Sequence, residues 1–287
     1  MAWFWEQTKG LLIGFVLFGF FVSLIYWAIQ RFQKSWWVMG TLISTAFMVF
    51  TALIAPVFLT PIFNTYQPLP DGPVKASILS MAKSNGVPVD NVYQFDASKQ
   101  SQRISANVSG IFGTTRISLN DNLLQRTSPE EIRAVMGHEI GHYVLHHVYK
   151  LVMEFGLLFL IEFFLIFHCF QWFLKKYAKN LSLRGAADIA AFPVLLAIFS
   201  LLSFLATPIS NTIVRTSEQE ADIFGMNLAR EPDGFARAAL KLGEYRKMSP
   251  GPIEEFLFYD HPSGENRIRA AMIWKKENGG LNSEEKK

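Results

Sequence analysis

Four apolar stretches constrain what this chain can fold into more than any other feature. Leu11 to Ile29 carries no charged residue and is long enough to cross a hydrocarbon core of about 30 Å. Trp3, Trp5 and Lys9 precede it and Arg31 and Lys34 follow, residue types that sit where a membrane meets water. A second charge-free run, Trp36 to Phe63, comes directly after it, so the first reads as a spanning helix and not as a cleaved signal peptide. The second run holds Pro56 and Pro61 near its far end. Leu151 to Leu174 is the third, with Glu154, Glu162 and His168 inside its apolar length, and Ile189 to Ile213 is the fourth, with Pro193 and Pro208. These runs make two hairpins. An even number of crossings places the polar chain between the hairpins, and the polar chain after them, on one side of a bilayer, where the two can fold together.

The expected organisation is a hairpin over residues 1–63, a soluble part over 64–150, a second hairpin over 151–213, a second soluble part over 214–276 and a disordered tail over 277–287. Half of the 287 residues are apolar and 18% are charged, against about a quarter charged in soluble domains. The single cysteine, Cys169, excludes an internal disulfide framework and a cysteine-rich zinc site, and reads as a buried small hydrophobe. The net charge of +3 is modest and its basic residues flank apolar runs, which argues against nucleic acid as a partner. In the first soluble part the pattern predicts a helix over Pro73 to Ser84 and strands over Asn91 to Phe95 and Asn107 to Phe112, with Gly113 and Thr114 turning the latter back into Arg116 to Leu119. Glu154, Glu162 and His168 are costly in lipid and should face the bundle or a wet cavity.

Ser128-Pro129-Glu130-Glu131 is a capping box with proline at the first helical position, so a helix starts there and carries His138-Glu139-x-x-His142. Four residues apart, the two histidines share a helix face, which lets two imidazoles meet one zinc ion. Glu139 is displaced around the helix, in the position of a general base acting on a water activated by the ion. His146 and His147 lack a following glutamate and read as spare surface or interfacial histidines. A catalytic zinc needs a further protein ligand. In the run from Asn211 to Asp222 a helix would put Glu218 and Asp222 on one face, with Arg215 a turn earlier and Glu220 pointing elsewhere. Glu218 could be that ligand and Asp222 the acceptor of a histidine ring N–H; a solvated acidic face explains the same spacing equally well.

These residues resemble the integral-membrane zinc peptidases that include the CAAX prenyl protease and the bacterial heat-shock protease HtpX. The resemblance rests on HEIGH at 138–142, on Arg215-x-x-Glu218-x-x-Ala221-Asp222, on His261-Pro262 followed by Arg267, and on the stretch from Ala55 to Asn64. It implies that Glu218 is the third zinc ligand and that His261 contacts substrate or the developing oxyanion. Arg215 and Arg267 become ion-pair or scaffold residues near the site. Ser105 to Gly110 is similar to the family's edge strand, so Ala106 and Asn107 become substrate contacts, although their order differs from the Asn-Ala-Tyr of the CAAX branch. The CAAX protease has seven spanning helices around an intramembrane chamber; four are expected here, as in the HtpX type.

The expectation is a mainly α membrane protein, with four transmembrane helices and a composite α+β zincin-like protease domain built on a small β-sheet. It would be a metalloendopeptidase with one zinc ion per chain, acting on peptide or membrane-protein substrates in membrane-protein quality control, with CAAX-type processing as the rival. A transporter would need no soluble helix bearing a metal and base set, and a non-catalytic zinc scaffold would not need Glu139. The expected location is the bacterial inner membrane. Arg31, Lys34, Lys175, Lys176, Lys179 and Arg184 in the short inter-helix loops would make those loops cytoplasmic by charge. The resemblance implies instead a cytoplasmic protease domain, and the expectation follows it.

Overall fold

The structure is a computed structural model that describes residues 2–54, 58–110, 115–243 and 246–279. It divides into two compact units, one containing the chain up to Ala52 and Tyr149–Ser210, the other Leu53–Val148 and the chain from Asn211 onward.

The first unit is helical. It contains α1 (Ala2–Arg31), most of α2 (Trp36–Ile54), nearly all of α7 (His147–Tyr177) and the first half of α8 (Phe192–Ala229). Its core is aromatic: Trp36 is fully buried and meets Phe163 and Phe167 edge-on, with ring centroids 6.3 and 5.9 Å apart. Large apolar side chains such as Phe15, Phe18, Leu157 and Phe204 point outward, an arrangement that is stable against lipid and unfavourable against water. Among the described residues three helices, Phe4–Arg31, His147–Tyr177 and Ile189–Ala229, are long and apolar enough to cross a membrane. Residues 55–57 of the apolar run from Trp36 to Phe63 lie outside the described residues. Before them its apolar helix covers Trp36–Ala52, and after them α3 (Thr60–Phe63) carries Pro61 in its first turn, where a missing N–H costs nothing. Pro56 lies outside the described residues.

Glu162 is buried and accepts a hydrogen bond from Ser203, and Glu154 is half-buried. His168 departs from the expectation: it is exposed, with its ring 4.4 Å from that of Phe164. Six residues beyond Glu162, it lies about 240° further around a helix of 3.6 residues per turn and so cannot share the inward face. Cys169 is likewise exposed and not buried.

The second unit is α+β. Its sheet has the order β1-β2-β4-β3, from β1 (Tyr66–Pro68), β2 (Val92–Phe95), β3 (Ala106–Ser109) and β4 (Arg116–Asn120), with β2 and β4 parallel and the outer pairings antiparallel. The predicted helix is α4 (Pro73–Ser84). The predicted turn at Gly113 and Thr114, and the far end of the strand before it, lie outside the described residues. A short helix, α5 (Asp121–Arg126), is capped by the Asn120 side chain. Then comes α6 (Pro129–Val144), whose capping box is closed in both directions: Ser128 N–H donates to Glu131 at 2.6 Å and Glu131 N–H to Ser128 Oγ at 3.4 Å. Glu131 is 2% exposed, and Lys241 at 2.7 Å and Arg237 at 3.5 Å balance its charge. Ile132, Met136 and Ile140 of α6 form a buried stripe against Ile78, Ile117 and Leu119. That stripe leaves the histidines on another face. Three more helices, α9 (Pro232–Leu242), α10 (Pro252–Phe258) and α11 (Gly264–Asn278), complete the unit. The expected tail therefore begins helical, and residues 280–287 lie outside the described residues.

Where α6 meets α8, glycine faces glycine. A Cβ on Gly225 would stand 2.7 Å from His138 N and 3.0 Å from Gly137 C, all backbone. Gly225→Ala should therefore lower stability by about 1–3 kcal/mol through overpacking. Gly14→Ala, where a Cβ meets nothing within 4 Å, should lower it not at all. Thermal unfolding of the two detergent-solubilised variants checks this contrast.

Candidate metal centre

The close crossing of α6 and α8 fixes the distance between two sets of side chains. His138 and His142 stand one turn apart on α6; Glu218 and Asp222 stand one turn apart on α8. His138 Nε2 lies 3.0 Å from His142 Nε2 and 3.4 Å from Glu218 Oε2, and His142 Nε2 lies 3.4 Å from Glu218 Oε1. A tetrahedral ion with bonds of about 2.1 Å has ligand–ligand edges of about 3.4 Å. Two imidazole nitrogens and the Glu218 carboxylate, which turns one oxygen towards each ring, thus converge at spacings close to such an edge, and the donor set fits zinc.

Each histidine has an outer partner. His138 Nδ1 lies 2.8 Å from Asp222 Oδ1. Asp222 is gripped in turn by Arg267, whose Nε donates to Oδ2 at 2.8 Å and whose Nη2 donates to Oδ1. With a proton on Nδ1, His138 presents the lone pair of Nε2 to Glu218 and His142. Burial opposes charging His138, but hydrogen bonds to Asp222 and Glu218 outweigh it and push its pKa up to about 9. Burial likewise opposes the Glu218 carboxylate, yet the two histidines hold its pKa well below the usual carboxylate range. The pocket favours positive charge at its centre, which a cation satisfies as well as a ring proton does.

Glu139 shares a cavity of about 340 Å³ with His138, Glu218 and His261, and Ser105 and Ala106 line another part of its wall. Burial pushes the Glu139 carboxyl up, against the pull of His138 and His142. His261 Nε2 lies 3.3 Å from Glu218 Oε2, and its Nδ1 lies 2.9 Å from Asp260 Oδ1. Arg215 stands off the cavity. Its guanidinium donates to the carbonyls of Glu255, at 3.1 Å, and of Tyr259, and so anchors the loop that carries His261.

His138, His142, Glu218, Asp222 and Arg267 therefore form one cluster, with Glu139, His261 and Ala106 around the adjoining cavity and Arg215 behind it. Asn107 differs: its side chain does not line the cavity, and its Oδ1 lies 3.4 Å from Ser109 Oγ. His147, expected as a spare surface or interfacial histidine, is instead buried against this cluster. That residue is 2% exposed, with Nδ1 2.8 Å from His142 Nδ1 and Nε2 3.1 Å from Glu220 Oε2. A position five residues from a ligand lies off its face in a continuous helix. Only the helix break at His146, whose φ is 55°, brings the ring back, and no sequence pattern announces that break.

Two family profiles match this chain: "Peptidase family M48" over residues 68–275 and "CAAX prenyl protease N-terminal, five membrane helices" over residues 1–65. Among curated relatives, an uncharacterized metalloprotease of Bacillus subtilis, YhfN, is 32% identical over 94% of this chain and 64% of its own. CAAX prenyl protease 1 of Saccharomyces cerevisiae is 30% identical over 93% of this chain and 62% of its own. The crystal structure of S. mikatae Ste24p superposes with a TM-score of 0.77 at 26% identity, covering 94% of this chain and 66% of that one. The chain thus spans just under two thirds of the length of these relatives. With one profile covering most of the second unit and the other the N-terminal helices, the chain belongs to peptidase family M48.

Proposed function

We propose that the chain is a zinc-dependent membrane endopeptidase. The observation that carries this reading is the convergence of two histidines and a glutamate, with the half-buried Glu139 carboxylate beside them in the same cavity. His138 Nε2, His142 Nε2 and a Glu218 oxygen would hold one zinc ion. When bound, zinc supplies Lewis acidity to a water and to the scissile carbonyl. Glu139 takes the proton of the attacking water and passes it to the leaving nitrogen, a task suited to a carboxylate whose proton affinity is raised by burial. His261 Nε2–H donates to the oxygen on which negative charge develops. Asp222 and Arg267 keep His138 in place, and Arg215 steadies the His261 loop.

An extended substrate fits beside β3. Asn120 N–H donates to Ser105 O at 2.9 Å, so antiparallel alternation makes Asn107 the next residue bonded inward to β4 and turns the N–H and C=O of Ala106 and Val108 to the outer edge. Ala106→Pro removes one outward donor and leaves the ladder intact, as edge strands tolerate. The loss of one hydrogen bond should lower kcat/KM by roughly 2–10-fold at unchanged zinc content. An unaltered kcat/KM would exclude pairing at this edge.

Quality control of membrane proteins is the proposed setting. The polypeptide would cross the bilayer four times, with α2 as the extra crossing beside the three longer helices, and would present a zincin-like protease domain to the cytoplasm of a bacterial cell. A second reading, processing of prenylated C-termini, is favoured by the profile match over residues 1–65 and by the names of several relatives. The test is to incubate zinc-loaded, detergent-solubilised protein with unfolded casein and with a prenylated CAAX peptide, and to identify new termini by mass spectrometry. Cleavage of casein supports the first reading, cleavage of the peptide alone supports the second, and cleavage of neither overturns the proposed activity.

A further inference from the structure

Among the described residues no carboxylate meets the outer nitrogen of His142. Asp222, which serves His138, is engaged by His138 and Arg267. What stands behind His142 is a second imidazole. His147 Nδ1 is 2.8 Å from His142 Nδ1, the rings lie 4.9 Å apart at 76°, and His147 Nε2 is 3.1 Å from Glu220 Oε2. One arrangement of protons satisfies every atom. For His142 Nε2 to keep its lone pair for a metal, His142 Nδ1 must carry the proton and donate it to His147 Nδ1. His147 must then carry its own proton on Nε2, where Glu220 accepts it.

The backbone is shaped for this contact. α6 ends at Val144, His146 takes a left-handed conformation with φ 55°, and α7 begins at His147. In an unbroken helix residues five apart lie about 140° apart and could not meet. The break costs the strain of a non-glycine residue at positive φ, of order 1 kcal/mol. It also buries an imidazole to 2% exposure, which is tolerable only because both ring nitrogens find partners.

We propose that His147, backed by Glu220, is the positioning residue of His142: the relay fixes the His142 tautomer and ring orientation so that Nε2 faces His138 Nε2 and Glu218. This inference rests on the proposed zinc centre, and its test separates the two. Zinc dissociation constants of the purified full-length chain are measured by competition with a chromogenic chelator, together with zinc stoichiometry and thermal unfolding.

His147→Ala should weaken zinc binding about 10–100-fold. His147→Asn, whose amide oxygen takes the place of Nδ1 as acceptor, should recover most of that loss. Glu220→Ala should weaken binding several-fold in the native background and have no effect on top of His147→Asn, which has no second ring nitrogen for Glu220 to hold. A role in packing alone would make alanine and asparagine equally damaging, and that result overturns the proposal. So does a Glu220→Ala affinity within twofold of the native chain, a result that stands even if His147→Ala fails to fold. His138→Ala is the control for the centre itself. If it still binds zinc stoichiometrically, both readings fail; if it loses zinc while both His147 variants bind as the native chain does, only the relay fails.

Discussion

Glu139→Gln should lower kcat/KM about 10²–10⁴-fold while leaving zinc content and KM unchanged. That range is what removal of a positioned proton carrier costs. The proposed metal face consists of His138, His142 and Glu218, and Glu139, one residue on from His138, contributes no atom to it. Stability should not suffer. A carboxyl whose pKa is raised in the folded chain, as burial raises that of Glu139, binds its proton more tightly folded than unfolded. Its ionisation therefore works against folding as pH rises above the unfolded value near 4.3. The isosteric amide removes that penalty. Single-turnover assays of zinc-loaded protein, paired with metal analysis and thermal unfolding, separate the roles. Activity within tenfold of the native enzyme, or loss of zinc, would sink the assignment of Glu139 as base.

How much of this site was legible in the sequence depended on whether a residue's partner lay within the same helix. His138 and His142 were legible because a four-residue spacing on a capped helix has one geometric outcome, and Ser128 to Glu131 marked where that helix starts. Glu218 and Asp222 were half-legible: their mutual spacing was readable, but their approach to α6 depends on Gly137 and Gly225 permitting backbone contact. A glycine in a helical stretch does not declare what it faces. His147 was illegible, because its position follows from one left-handed residue. The membrane helices show the same division. Apolar length gave α1, α7 and α8, but His168 was placed with Glu154 and Glu162 by chemistry when helical rotation puts it elsewhere.

Arg267→Ala should destabilise the second unit by about 3–5 kcal/mol at neutral pH, the cost of leaving a buried charge without its partner, or a Tm lower by roughly 6–20 °C. Asp222 is 5% exposed, and among the described residues Arg267 is the only guanidinium that grips both of its oxygens. Burial alone would raise the Asp222 pKa, but Arg267 first and His138 next hold it below the ordinary value. A depressed folded pKa contributes stability above the unfolded value near 3.9 and loses it as pH falls through the folded one. Removing Arg267 relaxes that depression. The deficit of the variant should therefore be large at pH 7 and shrink towards acid pH as Asp222 takes up its proton. A double-mutant cycle supplies the decisive comparison: Asp222→Ala added to Arg267→Ala should cost far less stability than Asp222→Ala alone, because the unpaired charge is then already absent. Zinc affinity should separate from stability in the same cycle, since deleting Asp222 also frees the His138 ring to rotate away from the metal face. Strictly additive Tm losses, or an Arg267→Ala chain as stable as the native one at pH 7, would show that Asp222 is held by His138 alone and that the guanidinium is not part of the support for the metal centre.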